Sequence, residues 1–318
     1  MNVLTAAAEL VEKANELALA CHVGPDGDAL GSMLGFAASA QLAGKKVVAS
    51  FGSPFDVPVS YRHLPIDLLS DPAGFPKEPG TMVTFDAASL DRLGELAKPA
   101  ANAQQLLVID HHVTTVGFGH VNVIDPKVSA TGELVYQLIV TLGWPIDARV
   151  ATSLHTALVT DTGRFQYSNT SPQTLHIAAR LVELGARPEV AGQNIYEETS
   201  FGYLKVAAAV LGRAELDADR KLVWSELRQA DLTAAGANPG EVDQLIDLVR
   251  LPGEAEVAVL IKEAENATVK VSLRSRGTID VGSIAQGLSG GGHHNAAGFT
   301  HHGTAEEAID LIRKALDG

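Results

Sequence analysis

Leu106-Leu107-Val108-Ile109-Asp110-His111-His112 is the stretch whose reading decides the fold. Four apolar residues run without polar alternation into an acid and two histidines. Such a run reads as a strand buried on both faces, the kind that parallel sheets use. In open parallel sheets, ligand chemistry gathers just past the carboxyl ends of the strands. Asp110, His111 and His112 stand at such an end. Taken alone, the stretch suits equally well a structural acid at a strand exit, with its histidines satisfied by hydrogen bonds.

Working outward, the first half alternates strand-like and helix-like segments. Leu17 to Val23 is apolar and extended, and Pro25-Asp26-Gly27-Asp28 turns it into a small-residue helix from about Ala29 to Leu42. Lys45 to Phe51 and Thr81 to Asp86 read as strands, separated by a connection rich in proline (Pro54, Pro58, Pro65). Ser89 is a good N-cap for a short helix. Beyond the central stretch come a strand at Val121 to Asp125 and a helix opened by Ser129 or Thr131 that runs to about Leu142. Further helices are expected from Asp147 to Val159 and from Pro172 to Leu184. This order calls for an α/β domain, a parallel sheet flanked by helices on both faces.

Residues from about Pro188 to Ala214 read as a helical connector, and the pattern then changes. Strands at Leu222–Leu227, Val257–Lys262 and Thr268–Arg274 mix with helices near Gln229–Gly236, Gly240–Arg250 and Ala305–Leu316. The last two strands are expected to join at a turn at Glu265-Asn266. A glycine-rich tract closes at Gly298. The division predicted is 1–187 for a parallel-sheet domain, 188–214 for the connector and 215–318 for a smaller α+β domain.

The bulk composition narrows the chemistry. Twenty-four lysines and arginines face 38 acids, a formal charge of −14. Long duplex nucleic acid is bound by neutralising phosphates, so this balance argues against such a partner. A small phosphorylated substrate needs only a local positive site, which a divalent cation would supply. The single cysteine, Cys21, lies in an apolar strand and cannot form an internal disulfide, so nothing implies an oxidising compartment. The first twenty residues read as an amphipathic helix and not as a signal peptide. No apolar run reaches the roughly 20 residues of a membrane span. A cytoplasmic protein is expected.

Three apolar strands end in ionisable groups: one leads into His22, Asp26 and Asp28, one into Asp86, and one into Asp110, His111 and His112. A fourth acid, Asp161, follows a helix and heads Asp161-Thr162-Gly163. Parallel neighbours would bring these groups to one sheet edge. Crowded carboxylates resist ionising unless cations pair with them. Each residue has a plainer reading: Asp28 as a helix cap, Asp86 as a turn acid, His22 as a core histidine. Those readings must all hold at once to dismiss the site. Mixed carboxylate and imidazole ligands suit Mn²⁺, and less well Mg²⁺ or Zn²⁺. The number of groups exceeds what one ion needs and fits two ions roughly 3.5–4 Å apart, as in hydrolases of phosphate esters. His63, His120, His155, His176, His301 and His302 have no such company and receive no role.

These residues resemble a known family. His22-Val23-Gly24-Pro25-Asp26-Gly27-Asp28-Ala29-Leu30-Gly31-Ser32, Asp86, Asp110-His111-His112 and Asp161-Thr162-Gly163 are similar to the ordered motifs of the DHH phosphoesterases. Gly290-Gly291-Gly292-His293-His294-Asn295-Ala296-Ala297-Gly298 resembles the GGGHxxAAG signature of the DHH-associated C-terminal domain. Together they cover nearly the whole chain. The nearest likeness is to the bacterial branch acting as oligoribonuclease on nano-RNA, as pAp phosphatase, and on cyclic di-AMP or its linear form pApA.

The resemblance implies His22, Asp26 and Asp86 on one manganese and Asp28 and His111 on the other, with Asp86 and Asp161 bridging or contacting both. Mg²⁺ or Co²⁺ are possible substitutes. It implies His112 facing the substrate phosphate and Asp110 orienting the histidines. Arg274, Ser275, Gly291, Gly292, His293 and Gly298 are implied to hold the distal nucleotide of a short oligonucleotide or dinucleotide. Where the family pattern has Phe-Gly before the three glycines, Leu288-Ser289 stands here. The phosphate grip therefore carries over, and base stacking at this spot does not.

The reaction expected is metal-assisted hydrolysis to 5′-mononucleotides, or to AMP and phosphate from pAp, with the two domains measuring substrate length. The chain is expected to be a homodimer, the commonest closed assembly. Rival readings are a manganese inorganic pyrophosphatase, a RecJ-type exonuclease and a non-catalytic nucleotide sensor. The first would need a basic Ser-Arg-Lys-Lys-type segment, which the second half lacks, and the second fits a short acidic chain poorly. The sensor would tolerate vacant ligand positions, yet every one is filled. A nicotinamide oxidoreductase would need Gly-x-Gly-x-x-Gly after the first strand, and a serine hydrolase Gly-x-Ser-x-Gly; the chain has neither.

Overall fold

The computed structural model describes residues 3–242, 244–264 and 267–317, so the turn expected at Glu265-Asn266 lies outside the described residues. The chain divides into two compact units, one through Glu198 and one from Thr199. In the first unit the order is α1 (Val3–Lys13), β1 (Glu16–Cys21), α2 (Gly27–Leu42), β2 (Lys46–Phe51), β3 (Thr81–Phe85), α3 (Ala97–Asn102), β4 (Gln105–Asp110), β5 (Val121–Ile124), α4 (Thr131–Leu142), α5 (Ala148–Asp161), α6 (Pro172–Glu183) and α7 (Pro188–Gly192).

The five strands are all parallel, in the order β2-β1-β3-β4-β5. Continuous apolar runs suit these strands because both faces are covered. Leu17, Leu19, Val83, Phe85, Leu107 and Ile109 pack on one side against α2, α4 and α5. Ala18, Ala20, Met82, Leu106 and Val108 pack on the other against Leu93, Leu96 and Ala100. The chain leaves β1 toward β2 on one side and resumes with β3 on the other. The gap between β1 and β3 is therefore a topological switch point, where open sheets of this kind hold ligands.

Helix α2 is buried almost all round, as expected of a helix with no polar stripe. Its small residues make this possible. A Cβ on Gly31 would lie 2.4 Å from the Ser153 carbonyl of α5, and one on Gly27 would strike Thr160 at the same distance. Helices α2 and α5, which carry Asp28 and Asp161, are thereby held close.

The second unit comprises α8 (Phe201–Gly212), β6 (Glu215–Asp217), β7 (Leu222–Leu227), α9 (Gln229–Ala235), α10 (Leu245–Val249), β8 (Val257–Glu263), β9 (Thr268–Ser275), α11 (Val281–Gly287), β10 (Gly291–His293), β11 (Ala296–His302) and α12 (Ala305–Asp317). Its sheet is mixed, ordered β10-β11-β9-β8-β7-β6, with β7 and β8 parallel and the other pairs antiparallel. Strand β8 alternates between two cores. Val257, Val259 and Ile261 meet residues of α11 and α12, while Ala258 and Leu260 meet residues of α8, α9 and α10.

Several local expectations change. The helix near Gly240–Arg250 shrinks to a 3₁₀ turn at Pro239–Glu241 and the short α10. The helical stretch after Pro188 is α7, then a π-helical turn at Gln193–Glu197, then α8 beyond the unit boundary. Within the glycine tract, Gly291 to His293 form an edge strand hairpinned onto β11. A Cβ on Gly292, which sits at φ +144°, would lie 2.5 Å from the Ala296 carbonyl oxygen. Close backbone approach, not mobility, is what these glycines provide.

Candidate metal centre

Strand register builds the centre. Cys21 pairs with Phe85, and Phe85 with Ile109. His22, Asp86 and Asp110 are therefore the first or last residues at matching heights along one sheet edge. Asp86 turns out of its strand at φ +56°, a conformation aspartate tolerates better than most residues. Its N–H still donates to the Ile109 carbonyl at 3.0 Å. This turn brings its carboxylate over the edge between β1 and β4.

Three groups of ligand atoms share Asp86, the third adding Asp110 and His112. In one, His22, Asp26 and Asp86 each offer an atom within 4.8 Å of the others; in the second, Asp28, Asp86 and His111 do the same. Asp86 faces both ways. Its Oδ2 lies 3.6 Å from His22 Nε2 and its Oδ1 3.8 Å from His111 Nε2. Asp161 Oδ2 lies 3.4 Å from His111 Nε2, on the second side. The sequence places Asp161 after a helix ending at Val159; it is instead the last residue of α5, which continues two residues further.

Hydrogen bonds orient these side chains. His22 Nδ1 donates to the Val23 carbonyl at 3.0 Å, which turns Nε2 toward the acids, and a bond of this kind sets a ligand tautomer. Asp26 is the N-cap of α2, accepting from the N–H groups of Asp28 and Ala29. Asp28 is not the cap of its own helix. It reaches across to α4, accepting from Thr131 N at 2.7 Å and Gly132 N at 3.0 Å, and from Ser32 Oγ at 2.9 Å. The opening of α4 therefore needs neither Ser129 nor Thr131 as its own cap; Ala130 occupies that position without a side-chain bond. Asp110 is fully buried. Its Oδ1 accepts from His112 Nδ1 at 2.7 Å and from the His111 N–H at 2.8 Å, and its Oδ2 from the Thr115 hydroxyl.

The electrostatics are those of an acid cluster lacking its own cations. Among the described residues no lysine or arginine pairs with these carboxylates; the histidines are their only ionic partners. Burial pushes the Asp28 carboxyl well above its ordinary range, and Asp86, Asp161 and Asp26 push it further. Burial likewise lifts Asp161 to about 7. Burial opposes ionisation of Asp86 as well, but His22, His112 and His111 outweigh it and hold that carboxyl well below the usual range. Burial favours neutral His112, yet Asp110 and then Asp86 raise it to about 9. Hard oxygen and imidazole donors crowded around one shared carboxylate fit a pair of divalent cations.

The remaining candidates lie in the second unit. Arg274 pairs with Ala296 and Ser275 ends the same strand. Arg274 Nη1 donates to the Leu273 carbonyl, while its Nε is buried without a hydrogen-bond partner among the described residues. Ser275 Oγ bonds to Asn295 Oδ1 at 3.1 Å. Gly291 pairs with Gly298 and His293 with Ala296, so all six candidates belong to the β9–β11 edge of the sheet. An edge strand carries N–H and C=O groups that no neighbouring strand takes up.

The DHH family N-terminal domain model matches residues 16–159, and the DHHA1 domain model residues 221–318. A bifunctional oligoribonuclease and PAP phosphatase, NrnA, of Thermus thermophilus is 34% identical over 307 residues, 94% of this chain and 89% of that one. The chain belongs to the DHH family. It is accordingly an enzyme that hydrolyses phosphoester bonds. The NrnA of Bacillus subtilis is 25% identical, covering 87% of this DHH protein and 86% of its own length. An exopolyphosphatase-related protein of Bacteroides fragilis has the same fold, with a TM-score of 0.91 at 25% identity over 99% of this chain and 95% of that one. Among the described residues no helix is long and apolar enough to cross a membrane.

Reading the sequence of this DHH protein singled out the acids and histidines but not the hydroxyls that hold them. Ser32, Thr115 and Thr131 each donate to an acid of the centre. Ser32 is four residues from Asp28, one helical turn, and so was open to detection. Thr131 lies far from both its partners in sequence and was not. The histidines left without a role are engaged elsewhere where partners are seen: His63 with Thr156, and His120 with the N–H of Leu106.

Proposed function

We propose that this protein is a two-manganese phosphoesterase of short nucleotides, cleaving nano-RNA, pApA or cyclic di-AMP to 5′-mononucleotides and pAp to AMP and phosphate. The observation that carries the reading is Asp86, one carboxylate that joins both the His22–Asp26 group and the Asp28–His111 group. His22 and Asp26 would complete one position, Asp28 and His111 the other, with Asp161 contacting the second or both. When bound, the two ions would supply Lewis acidity and a water of lowered pKa.

The chain's own groups do the rest. Asp110 holds the His112 imidazole by its Nδ1, which directs the other ring nitrogen to the substrate phosphate or leaving oxygen and keeps a proton available there. Arg274, Ser275, Gly291, Gly292, His293 and Gly298 would bind a substrate phosphate: the guanidinium by its fork, the edge strand through main-chain N–H groups. The curated relatives named as oligoribonucleases and PAP phosphatases span nearly the same length, and B. subtilis GdpP, a cyclic-di-AMP phosphodiesterase, is 27% identical over 67% of this chain but covers only 32% of its own. A homodimer and a cytoplasmic setting belong to the same reading, in keeping with one buried thiol and the commonness of two-fold assemblies.

Turnover of pAp, pApA, cyclic di-AMP and a short RNA, each with Mn²⁺ and after chelation, tests the proposal. Metal-dependent release of mononucleotides from at least one is expected. No turnover of any with Mn²⁺ present would leave the sensor reading.

A further inference from the structure

Thr131 stands at the first position of α4, fully buried, one residue past the N-cap where a hydroxyl ordinarily closes a helix. Here it does not. The cap is Ala130, and the N–H groups of Thr131 and Gly132 are taken by Asp28, 103 and 104 residues away in sequence. The Thr131 hydroxyl instead donates to Asp86 Oδ1 at 2.8 Å. One residue thus binds both acids of the second ligand group, Asp28 through its backbone and Asp86 through its side chain. Gly132 lets α4 pack closely on α5, since a Cβ there would lie 2.6 Å from the Ala157 methyl group.

The two oxygens of Asp86 are not equivalent. Oδ2 faces His22, and Oδ1, the oxygen Thr131 holds, faces His111. Rotation about the terminal carboxylate torsion is soft, and nothing in Asp86's own backbone selects one plane. A buried hydroxyl fixed to a helix end does select it.

We infer that Thr131 is a positioning residue which fixes the plane of the shared Asp86 carboxylate and its distance from Asp28, and so sets both cation positions. The inference rests on the two-manganese reading. Hydrogen-bond partners behind metal ligands typically hold 10–100-fold in metal affinity, and Thr131 holds two ligands at once.

The test is Mn²⁺ binding by calorimetry and electron paramagnetic resonance on chelated, reloaded wild type, Thr131→Val and Thr131→Ser, with circular dichroism of each metal-free form. Wild type is expected to take two spin-coupled ions per chain. Thr131→Val, which keeps the shape and loses the hydroxyl, should bind at least one ion about 10–100-fold more weakly and lose the coupling. Thr131→Ser should restore both. If wild type itself takes fewer than two ions, the two-manganese reading fails and this inference with it. If wild type takes two and Thr131→Val binds them equally well, the inference alone fails. It fails too if serine does not rescue. Should Thr131→Val not fold, Thr131→Ala replaces it; failure of both to fold would show a purely structural hydroxyl and overturn the assignment.

Discussion

Replacing Asp161 by asparagine should make the metal-free protein more stable, and by an amount that depends on pH. Burial and the neighbouring acids lift the Asp161 carboxyl to about 7, against an unfolded value near 3.9. Between those limits the folded state keeps a proton that the unfolded chain has released, so folding weakens as pH rises through the window. About three pH units at 1.36 kcal/mol each give roughly 4 kcal/mol, the largest difference being reached above pH 7. Relief of Asp28, which Asp161 pushes upward, adds to that gain, and the loss of Asp161's support for protonated His112 takes part of it back. His155 runs in the opposite sense. Burial lowers it to about 4, so its contribution to stability grows as pH rises from there toward 6.5. Both proteins share that term, and it cancels in the difference. The assay is urea denaturation of chelated wild type and Asp161→Asn at several pH values from 4.5 to 8.5. The two should be close at the acid end, with the variant gaining about 2–4 kcal/mol by pH 8. Saturating Mn²⁺ should then reverse the order, because a cation stabilises the ionised carboxylate that asparagine lacks. A difference that is independent of pH, or favours wild type without metal, would refute the picture of uncompensated buried charge.

Asp86→Ala should abolish Mn²⁺-dependent turnover while the thermal melt remains cooperative; residual activity would show that the two ligand groups do not depend on a shared acid. Gly31→Ala should cost about 1–3 kcal/mol by overpacking, since the new methyl would meet the Ser153 carbonyl, and should lower Mn²⁺ affinity by separating the helices of Asp28 and Asp161. Unchanged stability on thermal denaturation would disprove that contact. Arg274→Ala should raise KM for a dinucleotide roughly tenfold or more, the scale of one lost charge-assisted hydrogen bond, with Mn²⁺ binding as in wild type. An effect confined to kcat would place Arg274 in another role.

The parallel sheet was legible because burial on both faces writes itself into local sequence: Leu106 to Ile109 is an uninterrupted apolar run and Met82 to Phe85 a run broken only by Thr84, and both end in acids. The strand ends of Cys21, Phe85 and Ile109 fall in register, which places residues already conspicuous as a set at one edge. The C-terminal strands β10 and β11 were not legible. Glycine and alanine carry no strand signal, and the hairpin exists because Gly292 and Gly298 let backbones approach that no side chain would permit.

The sequence alone settled which groups are present and in what order, since a strand followed by an acid or a histidine is a matter of neighbouring residues. Tertiary structure decided how those groups face one another. Asp28 closes a helix that begins 103 residues later, and Thr131 returns a hydroxyl to Asp86 across 45. Such bonds follow from three packed elements at once, and no local pattern records them.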